Sequence, residues 1–211
     1  MLVAIIAAAA IGMVVGFAFA AVTLAVRVYN TLTSGEQAAI NAFSQIEVQL
    51  KRRHDLIPNL VESTRSYLSH ERETLEAVIR ARQQASANLD GASGAAKRPA
   101  DLRSIAVSES ALGGALGRLS MVIESYPDLK ANETVARLME ELTSSENRIG
   151  FARQLFNDLV TQFNVARRRF PAVLIAGTVG FSADMETLQF DDEPQIHDAP
   201  VVNLAEPVLV S

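Results

Sequence analysis

The 211-residue sequence contains no cysteine and no tryptophan, and aromatic residues make up only 6% of it. The absence of cysteine excludes disulfide bonds, thiolate metal sites, a cysteine nucleophile and lipid attachment through cysteine. Hydrophobic residues still make up 49% of the chain. Much of this fraction is alanine, which favours helices over sheets. The composition therefore predicts a helical protein of one domain, long enough to carry a membrane segment and a tail as well.

Basic residues are absent from the C-terminal part of the chain, since no Lys or Arg follows Arg169. Seven of the 24 acidic residues lie there, which leaves 17 acids against 19 bases in the rest of the chain. A mildly basic body beside a membrane suits contact with anionic lipid head groups, although solubility alone explains such a small excess of bases more simply. Nucleic-acid binding is not expected, because the net charge is −5 and the bases are dispersed without interleaved aromatic residues.

Charged residues are missing from residues 2–26, and a helix of about 20 apolar residues can cross a bilayer. A cleaved signal peptide is the alternative, because Ala18 and Ala20 form an A-x-A site. The stretch lacks a basic amino-terminal region, however, and its apolar part is longer than in most signal peptides. We therefore predict an uncleaved single-pass anchor over residues 1–28, with Arg27 at the membrane interface.

The orientation of this anchor depends on the bases that follow it, which are Arg27 and the cluster at residues 51–53. By the positive-inside rule, the side of the membrane that carries such bases is expected to be the cytoplasmic side. The sequence therefore predicts a cytoplasmic body, with membrane lipids as partners of the anchor.

A row of small residues recurs every four positions in the anchor, at Ala8, Gly12, Gly16 and Ala20. Such a row lets two helix backbones approach closely, and it favours self-association in the membrane. An alanine-rich span also produces such a row by chance, so both interpretations stay open.

Strand patterns are nearly absent before residue 172, and the apolar residues recur at helical spacing. The spacing predicts three long helices, which run from Ser34 to about Leu89, from Asp101 to about Tyr126 and from about Asn132 to Phe170. We expect an all-α fold in which they form an antiparallel bundle with coiled-coil-like packing over residues 29–181. The acidic tail, residues 182–211, is predicted to be disordered.

Pro58 interrupts the first predicted helix, because it removes the backbone hydrogen bond to the His54 carbonyl. The helix either kinks there or breaks and folds back, and a break would give the bundle a fourth helix. A reversal would be expected to need Gly or Asn nearby, and the stretch KRRHDLIP contains neither. We therefore predict a kink.

The second predicted helix has two unusual features. Its apolar seam is interrupted by Glu109, which occupies a seam position. Gly113, Gly114 and Gly117 each cost about 1 kcal/mol relative to Ala in a helix interior. Close packing of the helix backbone against a neighbour is the expected compensation for these glycines.

No pattern in the sequence predicts a catalytic residue, a cofactor or a metal site. The stretch HERET begins like a zinc motif, but Thr74 occupies the position of the second histidine. His54 and His70 lie about 160° apart around a helix and cannot share a metal. We expect each histidine to be a solvated or hydrogen-bonded surface group. The cluster at residues 51–54 is expected to be a solvated face or a salt-bridge set, and binding of a phosphate, lipid head group or partner is the alternative.

Polar side chains recur on one face of the third predicted helix, where Arg153, Asn157 and Asn164 lie beside the apolar seam. Asn59 on the first helix is their candidate counterpart. Amide and guanidinium groups joined across helices fix the register of a bundle. We predict a structural network at these residues, with a ligand site as the alternative.

Four segments follow the apolar N-terminal stretch in a recognisable order: QLKRRHDLIPNLVESTRSYLSHERETLEAVIRAR, ALGRLSMVIESYPDLKAN, FARQLFNDLVTQFN, and FP followed by AGTVGF. Between residues 29 and 181 the chain resembles the LemA family. The resemblance implies a bacterial, membrane-anchored helical bundle, and it implies no particular reaction. The chain departs from the family pattern at residues 172–175, which are apolar where the family is more polar.

Two hypotheses about function remain. The first is a non-enzymatic, single-pass protein of the bacterial inner membrane, whose bundle acts as a scaffold or interaction module and binds itself or another membrane protein. The second is a membrane-tethered sensor or binding module that recognises a small anion, a lipid head group or a peptide near Pro58, at Arg53, His54 and Asn59. Neither hypothesis requires a cofactor.

Overall fold

The computed structural model describes residues 1–92, 96 and 98–190, and this part of the chain is helical without a β-strand. The helices are α1 (Leu2–Arg65), α2 (Arg72–Gly91), α3 (Pro99–Ser125), α4 (Pro127–Lys130), α5 (Glu133–Arg168) and α6 (Ala172–Ile175). The prediction of an all-α bundle behind a long apolar N-terminal helix is confirmed.

Helix α1 is a single helix of 64 residues that combines two different surfaces. Its N-terminal part is long and apolar enough to cross a membrane, and the most apolar stretch is entirely exposed. From Val28 onward, buried side chains recur every three or four residues, as at Leu32, Ala39, Phe43 and Ile46. The same helix therefore leaves its first part uncovered and supplies a central element of the bundle with its second part.

The bundle consists of two helix pairs, α1 with α5 and α2 with α3, and α2 also packs on α1. Helices α1 and α5 are antiparallel: the rings of Phe43 and Phe156 lie 5.5 Å apart, and the Ser145 hydroxyl donates to the Gln49 carbonyl. Three buried apolar clusters follow one another along α1, at residues 28–32, 39–50 and 57–61. Each cluster contains side chains from at least one other helix, so the core extends over the full length of the bundle.

The prediction of one helix from Ser34 to Leu89 is wrong, because α1 ends at Arg65 and the chain reverses before α2 begins. Pro58 lies inside α1 with its side chain exposed, so the break that creates the fourth long helix lies beyond it. Within the reversal, the Thr64 carbonyl accepts hydrogen bonds from the amides of Tyr67 and Leu68. The Leu68 side chain is buried in the core. This burial holds the turn without a glycine or an asparagine.

The other helix ends follow from local sequence. Pro99 lies in the first turn of α3, and Pro127 follows its end, as the residue types favour. The Asn132 side chain caps α5 by accepting hydrogen bonds from the amides of Thr134 and Val135 at 3.0 and 3.2 Å. After α5, the peptide bond between Phe170 and Pro171 is cis and α6 follows.

The first part of the acidic tail packs on the bundle. Leu188 and Phe190 are buried in the same apolar cluster as Phe43 and Phe156. The prediction of disorder is therefore wrong for residues 182–190, and its remainder, residues 191–211, lies outside the described residues.

Candidate functional site

A cluster of charged side chains lies buried between α1 and α3. Glu109, which interrupts the apolar seam of α3, is 1% exposed, and His54 and Arg53 of α1 are 2% and 3% exposed. His54 Nε2 donates a hydrogen bond to Glu109 Oε1 at 2.8 Å, because a carboxylate can only accept. Arg53 Nη1 lies 3.7 Å from Glu109 Oε2 and 2.9 Å from Glu146 Oε2 on α5. The buried ionic cluster thus joins three helices.

One oxygen of this cluster is left without a hydrogen bond. Glu109 Oε2 is buried and has no hydrogen-bond partner among the residues that the structure describes. Its neighbour Arg53 is instead closest to Glu146, whose side chain is 46% exposed. A buried carboxylate oxygen with an incomplete shell is costly, so the Glu109 position depends on the hydrogen bond from His54 and on the nearby Arg53 guanidinium.

The backbone carbonyl of His54, next to the cluster, does have a hydrogen-bond partner. Pro58 cannot donate to the His54 carbonyl, and the side chain of Arg82 on α2 takes this role, with Nε 3.2 Å from the oxygen. The carbonyl that the proline leaves free therefore binds within the chain. A fourth helix is thereby tied to the ionic cluster.

The structure separates the residues that the sequence groups near Pro58. The prediction of a surface position is wrong for His54, which is buried, whereas His70 is exposed in the turn before α2. Lys51 and Arg52 are exposed beside the buried Arg53, and Asn59 is exposed. Helical phase explains the difference, because residues of one short cluster point to different sides of α1.

The polar residues of α5 do not meet Asn59. Asn157 lies beside Phe156, which is level with Phe43 of α1, and Asn59 is roughly 24 Å further along that helix. The amide of Asn157 instead forms two hydrogen bonds with the backbone of Leu188: Nδ2 donates to the carbonyl at 3.0 Å, and Oδ1 accepts from the amide at 2.8 Å.

Asn164 binds the same segment two turns further along α5. Its Nδ2 donates to the Met185 carbonyl at 2.9 Å, and its Oδ1 accepts from the Met185 amide at 2.9 Å. We call Asn157 and Asn164 the amide clamp, because each side chain holds both polar groups of one backbone residue in residues 184–190. Asn157, Asn164 and Arg153 are thus brought together by this segment, which belongs to the tail predicted to be disordered.

Charged and aromatic contacts accompany the amide clamp. The guanidinium of Arg153 lies over the Phe190 ring, 4.6 Å from its centre. Arg167 and Arg168 both pair with Asp184, and Arg103 of α3 pairs with Glu186 at 2.8 Å. Acidic residues of the tail therefore bind basic residues of the bundle.

Comparison with known proteins agrees with the fold and its segments. The model of the LemA family matches residues 42–204, which is most of the chain. This chain belongs to the LemA family. Magnetosome protein MamQ of Magnetospirillum gryphiswaldense is 26% identical to it over 195 residues, which cover 82% of this chain and 68% of that protein. Protein LemA of Metamycoplasma hominis is 28% identical over 135 residues, which cover 64% of this chain and 57% of that protein.

Two glycines of α3 in this LemA-family bundle, Gly114 and Gly117, do not pack closely against a neighbour. A Cβ atom added to Gly114 or Gly117 would meet nothing within 4 Å, so the expected compensation is wrong for these two residues. They line a groove of 510 Å³ between α3 and α5 instead. The groove is also lined by Gly113, Met139, Leu142, Thr143 and, at one end, Arg53 and Glu146 of the ionic cluster.

The small residues of the LemA-family anchor are exposed. Ala8, Gly12, Gly16 and Ala20 all lie on the uncovered part of α1, and a Cβ atom at Gly12 or Gly16 would meet no atom within 4 Å. The row is open to an approaching helix, and self-association remains a prediction.

The titratable residues of the LemA-family bundle include one with a raised pKa, Glu47. Among the described residues, no group of three or more His, Asp or Glu side chains could hold a metal ion. Burial raises the pKa of Glu47, and the nearby charge of Lys51 opposes this shift. The sequence does not predict the contacts of Arg82 and Glu146 with the ionic cluster, or those of the tail with the bundle. It does contain one signal for the ionic cluster, which is the charged Glu109 in the apolar seam of α3.

Proposed function

We propose that this LemA-family chain is a non-enzymatic, membrane-anchored interaction protein whose α1 crosses a bacterial inner membrane. The continuity of α1 carries the proposal, because one helix contains the exposed apolar stretch and then a central element of the bundle. Exposed apolar surface of that length is costly in water and suits a bilayer. An anchor built in this way holds the bundle directly at the membrane surface.

The charge of the membrane-proximal end supports a cytoplasmic bundle. Arg27 follows the apolar stretch in the sequence, and residues 167–169, all arginine, lie at the end of α5 on the same side of the bundle. No acidic residue occurs in residues 1–35 or 159–183. An excess of bases beside a span favours the cytoplasmic side.

The ionic cluster supports a structural role over catalysis. Arg53 and His54 already have carboxylate partners inside the bundle, so they are not free to bind a small anion near Pro58. This pairing favours an interaction protein over an anion sensor at that position.

The anchor and its orientation can be tested with single-cysteine variants, since the natural chain has no cysteine. Leu2→Cys and Ser144→Cys both alter exposed residues, on opposite sides of the apolar stretch. In intact cells, a membrane-impermeant maleimide should label the Leu2→Cys variant after the outer membrane is permeabilised, and Ser144→Cys only after the inner membrane is opened. Labelling of both variants from the same side of an intact inner membrane would contradict the anchor.

Self-association can be tested in the same background. Gly12→Cys and Gly16→Cys should form disulfide-linked dimers in oxidised membranes, because the small row would bring two helices close together. Val14→Cys is the matched control, since residue 14 points to the opposite side of α1. Equal crosslinking at all three positions would indicate random collision and would count against a specific helix pair.

A second candidate function is a binding module that takes an apolar segment of a partner protein in the groove between α3 and α5. The open space beside Gly114 and Gly117 favours it, since glycines in a helix interior are otherwise unfavourable. Gly117→Ala should stabilise the bundle by up to about 1 kcal/mol, measured by urea unfolding. Gly117→Leu fills the groove, and it should release partners captured by crosslinking in cells, whereas the first function predicts no change.

A further inference from the structure

Three large apolar side chains protrude from the membrane-proximal end of the bundle. Phe170, Val173 and Leu174 are 74%, 54% and 69% exposed. They belong to the turn between α5 and α6 and to α6 itself, which is too short to be a membrane-spanning or amphipathic helix. We call these three residues the end patch.

The end patch is held in place by its buried neighbours. Ala172 and Ala176 are buried in the same cluster as Val28 and Leu32 of α1. Phe181 adds a second attachment, because its ring lies 6.0 Å from the ring of Tyr29. Ala172, Ala176 and the partly buried Ile175 therefore face the bundle. Val173 and Leu174 face outward.

The level of the end patch along α1 can be read from these contacts. Val28 lies only two residues, about 3 Å along the helix axis, beyond the uncharged stretch of residues 2–26. Helix α5 runs toward the same end, because Phe163 packs beside Gly35 and the chain continues past it toward Val28. The end patch is therefore level with the end of the apolar stretch of α1.

Basic residues surround the end patch. Arg27 and Arg169 are exposed, and Arg167 and Arg168 share Asp184. Asp184 lies among these arginines, and its carboxylate is already paired with Arg167 and Arg168. Apolar side chains flanked by arginines suit the boundary between the acyl chains and anionic head groups of a bilayer.

We propose that the end patch inserts into the interface of the same bilayer that α1 crosses, with Arg27 and Arg169 against anionic head groups. The inference rests on the proposed anchoring by α1 and adds a second membrane contact. A bilayer is favoured over a protein partner because the patch lies level with the end of the span. With two contacts, the bundle has a fixed face toward the membrane, whereas α1 alone would leave it free to rotate about the helix axis.

The natural chain has no tryptophan, so single-tryptophan variants report on one position at a time. The full chain would be reconstituted in vesicles of phosphatidylcholine and phosphatidylglycerol, with and without bromine on the acyl chains near the head group. Phe170→Trp and Leu174→Trp place the reporter in the end patch. Phe151→Trp is the matched control, since Phe151 is also 74% exposed but lies on α5 roughly 25 Å away along the axis. Phe17→Trp reports on the anchor.

The proposal predicts quenching by brominated lipid of at least twofold in Phe170→Trp and Leu174→Trp, and none in Phe151→Trp. Replacement of phosphatidylglycerol by phosphatidylcholine, or Arg169→Gln, should reduce this quenching. Quenching of Phe17→Trp without quenching of either end-patch variant would overturn the inference and leave the anchor intact. Equal quenching of Phe151→Trp would also overturn it, and absence of quenching in Phe17→Trp would overturn the anchor together with the inference.

Discussion

The buried ionic cluster and the amide clamp are both polar and both lie beside the apolar core. They stabilise the bundle in different ways. The ionic cluster joins side chains of three helices, and each of its central members, Arg53, His54 and Glu109, is almost completely buried. The amide clamp joins side chains of one helix to the backbone of an extended segment, and its asparagines are only partly buried.

The difference shows how charge and burial decide the cost of losing one partner. Two neutral amides that bind backbone groups can be lost one at a time, and water can replace them at the surface. A buried carboxylate has no such replacement, because its removal takes the hydrogen-bond partner from the buried His54 and one of two carboxylate partners from the buried Arg53. The ionic cluster should therefore behave as a unit, and the amide clamp as two separate attachments.

The largest expected effect is that of Glu109→Ala. This change leaves Arg53 and His54 buried without their shared carboxylate, and it should lower the free energy of unfolding by about 3–5 kcal/mol. Urea unfolding followed by circular dichroism measures it. Glu124→Ala, an exposed acid of the same helix, is the matched control and should change stability by no more than about 0.5 kcal/mol.

A triple replacement sharpens the same point. Arg53→Met, His54→Leu and Glu109→Leu together remove all three central polar side chains and should restore most of the stability that Glu109→Ala loses, because none of them is left buried without its partner. If the triple variant is as unstable as the single one, the cluster is not the coupled unit described above.

Asn157→Ala should have a smaller and more local effect. It leaves the amide and the carbonyl of Leu188 without their partners, at a cost of about 1–3 kcal/mol that falls on the attachment of residues 184–190. Hydrogen exchange of the Leu188 amide should accelerate by about tenfold or more, whereas exchange in the middle of α3 should stay unchanged. The exposed neighbour Asp158, changed to Ala, serves as the control, and accelerated exchange throughout the bundle would show that the clamp is not local.

Glu47→Gln is expected to give the smallest effect. The pKa of Glu47 is raised above its ordinary value of 4.5, mainly by burial, so the folded state holds this proton more tightly than the unfolded state does. Ionisation of Glu47 therefore lowers stability as the pH rises through the raised pKa, and below 4.5 the penalty disappears. The variant should be slightly more stable at pH 7, by no more than about 0.5 kcal/mol, and equal to the natural chain at pH 4, in thermal unfolding.

The helices could be predicted because each has a sustained apolar seam. The bounds of α3 and α5 agree with the pattern to within two residues, since prolines and a capping asparagine mark their ends. The seam of α3 even contains the sign of the ionic cluster, because an acid at a buried position requires a partner. The identity of that partner could not be predicted. His54 lies 55 residues away in the sequence, and only the folded bundle brings its side chain to Glu109.

The helical pattern of the sequence could not predict the reversal between α1 and α2 or the docked tail, and the reason is the same for both. Both depend on a buried leucine outside regular helix, Leu68 in the turn and Leu188 in the tail. Helical periodicity cannot identify such residues, because one apolar side chain has no period. The composition of the tail is that of a disordered segment, and its attachment depends on two asparagines of another element.

The length of α1 gives the bundle the geometry of a lever. With the apolar stretch anchored as proposed, the part from Val28 to Arg65 extends about 55 Å from the bilayer without a break in the helix. Transmembrane helices tilt by about 20° on average and adjust this angle to bilayer thickness. A change of that size would move the turn at residues 66–71 sideways by roughly 20 Å, with the end patch near the pivot. A small change in lipid thickness would thus become a large displacement at the far end of the molecule.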